Sequence, residues 1–308
     1  MHNLRLGIVI LNYNTSKETV DCIESIEKYT KYSYTIYVVD NCSSDRSMEL
    51  FEEKYKDKNN IVLIESRENR GYSAGNNLGI KQAILDGCKI ICIVNSDVEL
   101  LNDAFSIMTE TLMSDEAYMM IGPSVINNAK TESQIARKKQ TFKTFFFARH
   151  PFCDIPVIKK YGERNYEISS EKIYFFDGSV SGCCFCMRAE DFIKIDYLDE
   201  NVFLYSEEDI IAYKMEKQGR KAVVNSEAKI WHKENVSTKK RGSAFVQFHR
   251  WSSVLYLLKT YAEVSKACQI FVCLWNALTW SMLSVISKEH RKLHNKFWKR
   301  NLEIVFKA

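Results

Sequence analysis

Three observations predict an α/β chain with a doubly wound, mainly parallel central sheet flanked by helices. Four short runs, residues 6–11 (LGIVIL), 34–39 (YTIYVV), 61–64 (IVLI) and 90–94 (IICIV), are apolar and rich in β-branched side chains. Strands buried on both faces of a parallel sheet read that way, whereas half-exposed strands alternate. Segments of helical spacing separate the runs, giving strand and helix in turn, as in βαβ units. Three of the runs end in polar clusters: Asn12-Tyr13-Asn14-Thr15, Asp40-Asn41-Cys42-Ser43-Ser44-Asp45 and Asn95-Ser96-Asp97. The carboxyl edge of the strands is where open α/β sheets bind ligands.

After the first run, Thr15 or Ser16 can cap a helix with Glu18 in its first turn, and Val20, Ile23 and Ile26 recur at helical spacing. A second helix is expected from 46 to about 56. Residues 71–79, punctuated by glycines, read as a loop, and 77–86 as the helix leading into the fourth strand. Another helix is expected over 103–113. From Met120 the alternation loosens. Residues 130–167 read as a long irregular insertion, and 177–188 (DGSVSGCCFCMR) as a packed strand-like run whose small side chains leave room for ligands.

The 308 residues, 46% hydrophobic and 27% charged, suffice for one large domain or two small ones. A net charge of +4 gives no ground for a nucleic-acid partner. The ten cysteines do not supply the two C-x-x-C pairs of a zinc site, and Cys183-Cys184-Phe185-Cys186 lies in an apolar strand-like run, so they read as small core hydrophobes and not as zinc ligands. The opening MHNLRLGIVILNYN lacks the three regions of a signal peptide, and unpatterned thiols point to a reducing cytoplasm.

Asp97, at a strand's carboxyl end, suits a divalent metal held against phosphate, because Mg²⁺ prefers one or two carboxylates plus phosphate oxygens. An Asx turn into the following helix accounts for the same residues. Asp40 can accept a hydrogen bond from a ribose or base, or cap a helix. The first turn lacks G-x-G-x-x-G, which disfavours a dinucleotide dehydrogenase. Glu207, Glu208 and Asp209 lie between an aromatic run and an amphipathic helix. They are ordinary partners for a helix dipole, yet crowded carboxylates raise one another's pKa and one partly desolvated member would serve as a base. His232 ends another apolar run, and Lys239, Lys240 and Arg241 beyond it suit a phosphate or a solvated loop.

In order along residues 6–237 stand ILNYN, VVDNCSSD, ENRGYSAGNNLGI, VNSDVEL, GSVSGCCFCMR, LDENVFLYSEED and WHKENVS. The set resembles the inverting family-two glycosyltransferases of the GT-A (nucleotide-diphospho-sugar transferase) fold, and among them the rhamnosyltransferase-like and capsular polysaccharide members. The resemblance implies transfer of a sugar from a UDP- or dTDP-sugar donor to a hydroxyl of a glycan or lipid-linked acceptor, with inversion. Surface or capsular polysaccharide or O-antigen assembly would be the setting. It implies Mg or Mn as the divalent metal, bound at Asp97, the second position of a D-x-D motif whose first is Asn95 here, with His232 at the metal or diphosphate. Donor contacts are implied for Asn12, Asn14, Asp40, Asn41, Asn69, Gly71, Gly75, Asn76, Asn77, Asn95 and Ser96. Glu208 aligns with the general base, with Asp209 the second choice and Glu207 beside them. Asn95 removes one negative charge from the motif, so a catalytically degenerate module that binds nucleotide sugar or scaffolds a glycan-assembly complex is the alternative.

The implied organisation is a GT-A domain over 1–242, with a nucleotide-binding half (1–125) and an acceptor half (126–242), then a helical, aromatic and basic extension over 243–308. Residues 137–150 (RKKQTFKTFFFARH) interleave cations with four phenylalanines, which suits a membrane surface or an amphipathic helix with its phenylalanines inward. Residues 267–287 carry no charge, are bracketed by Lys266 and Lys288, and are long enough to cross a bilayer core of about 20 helical residues. Gln269, Asn276, Thr279 and several serines dilute the stretch, so a helix packed on the domain or lying at the membrane surface is expected instead of a span. Residues 290–300 would then contact anionic lipid peripherally at the cytoplasmic face of the cell membrane.

Overall fold

The computed structural model describes residues 4–133, 136–148, 160, 164, 171–233 and 242–307. β1 (Leu6–Asn12), β2 (Tyr34–Asp40), β3 (Ile61–Glu65) and β4 (Ile90–Asn95) run parallel in the order β3-β2-β1-β4. Each expected strand is present and extends one residue further, onto its polar end. Residues of both parities are buried in β1, β2 and β4, so both faces of the sheet are covered. Fully burying each such Ile or Val stabilises the fold by about 1.5–3 kcal/mol.

Helices α1 (Ser16–Tyr29), α2 (Ser47–Tyr55), α3 (Tyr72–Leu85) and α4 (Ala104–Ser114) connect these strands and continue beyond them. Two expectations need correction here. Thr15 precedes α1 without capping it through its side chain; that hydroxyl instead donates to Asn12 Oδ1 at 3.2 Å and pairs with Ser96 Oγ at 3.0 Å. The glycine-punctuated stretch is not a loop to residue 79, because α3 begins at Tyr72 and takes in Gly75, Asn76 and Asn77. Its small residues serve a close approach to the sheet: a Cβ on Gly75 would lie 2.4 Å from Leu11 Cδ1.

Past β4 the sheet becomes mixed. β5 (Val98–Leu100), β6 (Tyr118–Ile126), β11 (Cys184–Arg188) and β12 (Lys221–His232) extend it in the order β4-β11-β6-β12-β5. β7 (Glu132–Ser133) adds to β6 and β9 (Ile173–Phe176) to β12, while β8 (Ala136–Lys138) and β10 (Gly178–Val180) pair separately. The run 177–188 is therefore two strands, broken at Ser181-Gly182-Cys183. β11 runs against β4, pairing Cys184 with Val94, so its first residues meet the carboxyl end of β4. β12 runs against β5, pairing His232 with Val98. The parallel expectation holds for the first half of the sheet; the reversed strands of the second half return the chain to the same edge.

Among the described residues, helices α5 (Phe142–Ala148), α6 (Ala189–Lys194) and α7 (Glu207–Lys217) stand around this second half. The extension is helical as expected, in α8 (Ser243–Thr260), α9 (Lys266–Ile286) and α10 (Lys288–Phe306). Its apolar cluster joins Leu255, Leu258, Val272 and Val305 to Phe145 of α5 and to Ile210 and Tyr213 of α7. The phenylalanine-rich segment thus turns Phe145 inward. The nine cysteines among the described residues are free, and burial pushes the thiols of Cys184 and Cys186 well up, as suits packing residues. Lys239, Lys240 and Arg241 lie outside the described residues.

Candidate active site at the strand ends

Register alone brings the first two polar clusters together, because Asn12 pairs with Asp40 across β1 and β2. Asn12 Nδ2 donates to Asp40 Oδ1 at 2.6 Å, as does Ser43 Oγ at 2.6 Å, and the Ser43 amide donates to Asp40 Oδ2 at 2.9 Å. Asp40 is buried, and these bonds shape its loop; its Oδ2 keeps accepting capacity for a ligand. Asn14, at φ 56°, ties the two loops together by accepting from the amides of Ser44 and Asp45 at 2.8 and 3.1 Å. Asn41 Nδ2 donates to Asn69 Oδ1 and to the Gly71 carbonyl, each at 3.2 Å, and its buried Oδ1 has no partner. An unpaired buried acceptor costs about 1–3 kcal/mol, so this oxygen is a ready place for a ligand donor. Asn69, Gly71 and Asn41 therefore form one group. Asn76 and Asn77 sit apart from it in bonding: Asn76 donates to the Tyr72 carbonyl at 3.0 Å, and Asn77 clamps the Leu198 backbone.

The third cluster meets the end of β12. Asp97 Oδ1 lies 3.3 Å from His232 Nε2. Burial disfavours the charged imidazole, but the bonds to Asp97 and Cys183 outweigh it and lift the His232 pKa to about 10. Ser96 is anchored by Thr15, and the Asn95 amide donates to the Cys183 carbonyl at 2.8 Å. A metal would have to displace the proton that His232 holds against Asp97; the pair would then offer one oxygen and one nitrogen donor to Mg²⁺ or Mn²⁺. No cluster of three or more His, Cys, Asp or Glu suited to a metal occurs among the described residues. A cation held by this pair would complete its shell with phosphate oxygens and water, the habit of Mg²⁺ at substrate phosphates.

The acidic triplet opens α7, directly after Tyr205 and Ser206, two consecutive non-glycine residues at positive φ (71° and 75°). That costly backbone turns the chain sharply into the helix. Glu207 is buried, its Oε1 has no partner, and burial with Glu208 alongside holds its carboxyl well above the usual range. Asp209 is also buried; it accepts from the Gln140 amide at 3.0 Å and pairs with Arg164. Burial raises its pKa to about 6 despite Arg164, with Glu208 adding to the rise. Glu208 alone of the three is half-buried, and its Oε1 accepts from the Gly182 amide at 2.9 Å.

Gly182 connects the two sides of the site. Its amide holds Glu208, its carbonyl accepts from Tyr72 Oη at 2.8 Å, and its neighbour Cys183 touches both Asn95 and His232. Tyr72 in turn donates its amide to the Phe203 carbonyl at 2.8 Å. Sequence reasoning missed Tyr72 and Cys183, and it saw only small size in Gly182. The signal was the antiparallel placement of β11, which alternation of strands and helices does not reveal.

The sequence profile described as Glycosyl transferase family 2 matches residues 7–194, from β1 to the end of α6. The chain belongs to glycosyl transferase family 2. The family-two match takes in Asn12, Asp40, Asn95, Asp97 and Gly182 and stops short of Glu208 and His232. Among similar proteins, "Glycosyltransferase GlyG" of Streptococcus pneumoniae serotype 4 is 27% identical over 117 residues, 38% of either chain. "Low-salt glycan biosynthesis hexosyltransferase Agl10" of Haloferax volcanii is 22% identical over 214 residues, 69% of this chain and 62% of its own length. These matches thus span less than two thirds of either relative. Among solved structures, S. aureus TarS 1–349 in complex with UDP-GlcNAc superposes with a TM-score of 0.57 at 13% identity, covering 98% of this chain and 82% of that one. GalNAc-T7 with UDP, GalNAc and Mn2+ gives 0.59 at 13%, covering 76% and 44%. At such identities the likeness is one of fold, and the fold of this family-two chain is the GT-A fold that its motifs imply.

Proposed function

We propose that the chain transfers a sugar from a UDP- or dTDP-sugar to an acceptor hydroxyl, with inversion, in the assembly of a surface polysaccharide. The observation that carries this reading is the Gly182–Cys183 step. It links a half-buried carboxylate, Glu208, on one side to the Asp97–His232 pair on the other. An inverting displacement needs a base on the acceptor side and charge stabilisation at the leaving diphosphate. Glu208 takes the acceptor's proton as its oxygen attacks the anomeric carbon, and the Gly182 amide holds the carboxylate in one orientation. Burial keeps Tyr72 protonated, so it donates to Gly182 throughout. Asp97 and a neutral His232 would hold a divalent ion, which when bound would neutralise charge on the leaving nucleoside diphosphate. Asp40, Asn41, Asn69 and Gly71 receive the nucleoside, with Asn12, Asn14 and Ser96 shaping the loops around it. Asn95 stays a hydrogen-bonding partner in the D-x-D position. UDP and Mn2+ in the GalNAc-T7 structure and UDP-GlcNAc in the TarS structure support a uridine donor and a metal. Agl10's name supports a role in glycan assembly.

The test is transfer from radiolabelled UDP- and dTDP-sugars to a panel of glycan and lipid-linked acceptors, with and without Mn²⁺. Glu208→Gln and Asp97→Ala should each lower turnover by about 10²-fold or more. Near-normal turnover in both variants sinks the assignment. Donor binding with no turnover on any acceptor marks the scaffolding alternative that Asn95 leaves open.

A further inference from the structure

The longest helix of the extension carries apolar side chains outward as well as inward, where Val272, Cys273, Ala277 and Trp280 are buried. The positions of α9 that face the bundle include Gln269, Asn276 and Ser284, all buried. Gln269 donates to the Val264 carbonyl at 3.0 Å, Asn276 lies 3.4 Å from Asn301 Oδ1, and Ser284 donates to the Trp280 carbonyl at 2.8 Å. The opposite face carries Phe271, Leu274, Leu278, Met282 and Val285, spaced by three and four residues, with Ile286 at its end. Leu274, Leu278, Met282, Val285 and Ile286 are each more than half exposed. A helix on a water-facing surface shows the reverse, with its polar stripe outward. The stripe continues onto α5, where Phe142 and Phe146 lie 6.0 and 5.9 Å from the Phe271 ring. A contiguous apolar face of this kind marks an interaction surface.

The charge beside the stripe selects the occupant. Residues 288–307 hold seven lysines and arginines against two glutamates. Lys288, Arg291, Lys292, Lys296 and Lys299 are exposed on α10, and α10 packs along α9. Arg291 donates to the Ser284 and Val285 carbonyls at one end, and Lys266 sits 4.8 Å over the Phe306 ring at the other. A second copy seated on the stripe would bring two basic helices together. An anionic bilayer meets both features at once, taking apolar side chains at the acyl boundary and cations at the headgroups.

We propose that α9 lies in the plane of an anionic membrane, with its apolar stripe in the bilayer interface and the cations of α10 on the headgroups. By length and composition α9 could span a bilayer, but spanning would part Asn276 from Asn301 and Ser284 from His294, their partners on α10. The docked face reaches the site through two elements. The Gln140 amide just before α5 bonds Asp209, and Tyr213 Oη of α7 donates to the Gln140 carbonyl at 2.8 Å. Docking would thus set the side of the site that holds Glu208 near the membrane, where a lipid-linked acceptor resides. Docking stands without the proposed reaction; only this use of it rests on that reading.

The test is flotation of the full chain, without donor or acceptor, on phosphatidylcholine vesicles with and without phosphatidylglycerol. The chain should float with the anionic vesicles, and added salt should weaken it. Leu278→Asp with Met282→Asp should abolish flotation while the circular dichroism spectrum and Tm hold. Lys292→Glu with Lys296→Glu, which touches no packed position, should weaken it about tenfold or more. No flotation of the wild type, or flotation unchanged in both double variants, overturns the proposal. So does a dimer by light scattering that the Leu278/Met282 substitutions dissolve while vesicles are ignored. A chain that floats yet transfers no sugar leaves docking standing and sinks only the proposed reaction.

Discussion

Glu207, Glu208 and Asp209 share one helical turn but not one environment. Glu207 is sealed in, and Asp209 points its charge at Arg164 and the Gln140 amide, so each is taken up by packing. Glu208 keeps an open carboxylate oriented by a backbone donor, which is what a base requires before its pKa matters. Asp209 makes a separable prediction through pH. Its folded pKa of about 6 stands above the usual aspartate value of 3.8, so the native state holds a proton that the unfolded chain releases. Stability from this group is full below the unfolded pKa and is lost as pH rises through about 6. Asp209→Asn should therefore flatten the fall in Tm measured from pH 4 to 7, whatever it costs Arg164. Burial raises Glu207 in the same direction, so part of the slope remains. An unchanged slope in Asp209→Asn would remove this account of the buried carboxylate.

At the scale of elements, two glycines have distinct jobs. Gly71 precedes α3 at φ 101°, and a Cβ there would meet the Phe203 carbonyl oxygen at 2.2 Å. Backbone would have to move, so Gly71→Ala should cost at least about 1–3 kcal/mol and lower Tm by several degrees. Gly182 differs. A Cβ there first meets the Glu208 side chain, and a flexible side chain can turn aside. Gly182→Ala should leave Tm within a degree or two yet lower turnover by about 10²-fold, through displacement of the carboxylate. Urea melts paired with transfer assays on both variants check the contrast; equal effects on stability would undo it. The same elements show what was legible. Strands β1, β2 and β4 could be read to within a residue because burial on both faces leaves continuous β-branched runs. The start of α3 could not, because Gly75 and Gly79 look like loop punctuation until Leu11 and Val9 are seen beneath them. The link from Gly182 to Glu208 depends on β11 running antiparallel to β4, and no local pattern in DGSVSGCCFCMR encodes a pairing direction.

For the whole molecule, the sheet gathers at one edge residues that lie far apart in the chain. Asp97 leaves β4, His232 ends β12, and their contact at 3.3 Å exists only because β12 pairs with β5. The sequence supplied each residue as a strand end; the meeting of the two follows from topology. A pair of protein donors is a thin hold on a divalent ion, and a nucleoside diphosphate alone would face Asp97 with only the single charge of the His232 imidazolium to offset it. Each ligand therefore completes the other's site. Ligands that bind the native state raise Tm by mass action, and coupled ligands raise it by more than their separate effects. Mn²⁺ alone and UDP alone should each shift Tm by a degree or so, and the two together should shift it by clearly more than the sum. Asp97→Ala should erase the excess while leaving the small UDP shift, since Asp40, Asn41 and Asn69 are untouched. Additive shifts in the wild type would show that the Asp97–His232 pair does not hold the metal against the diphosphate.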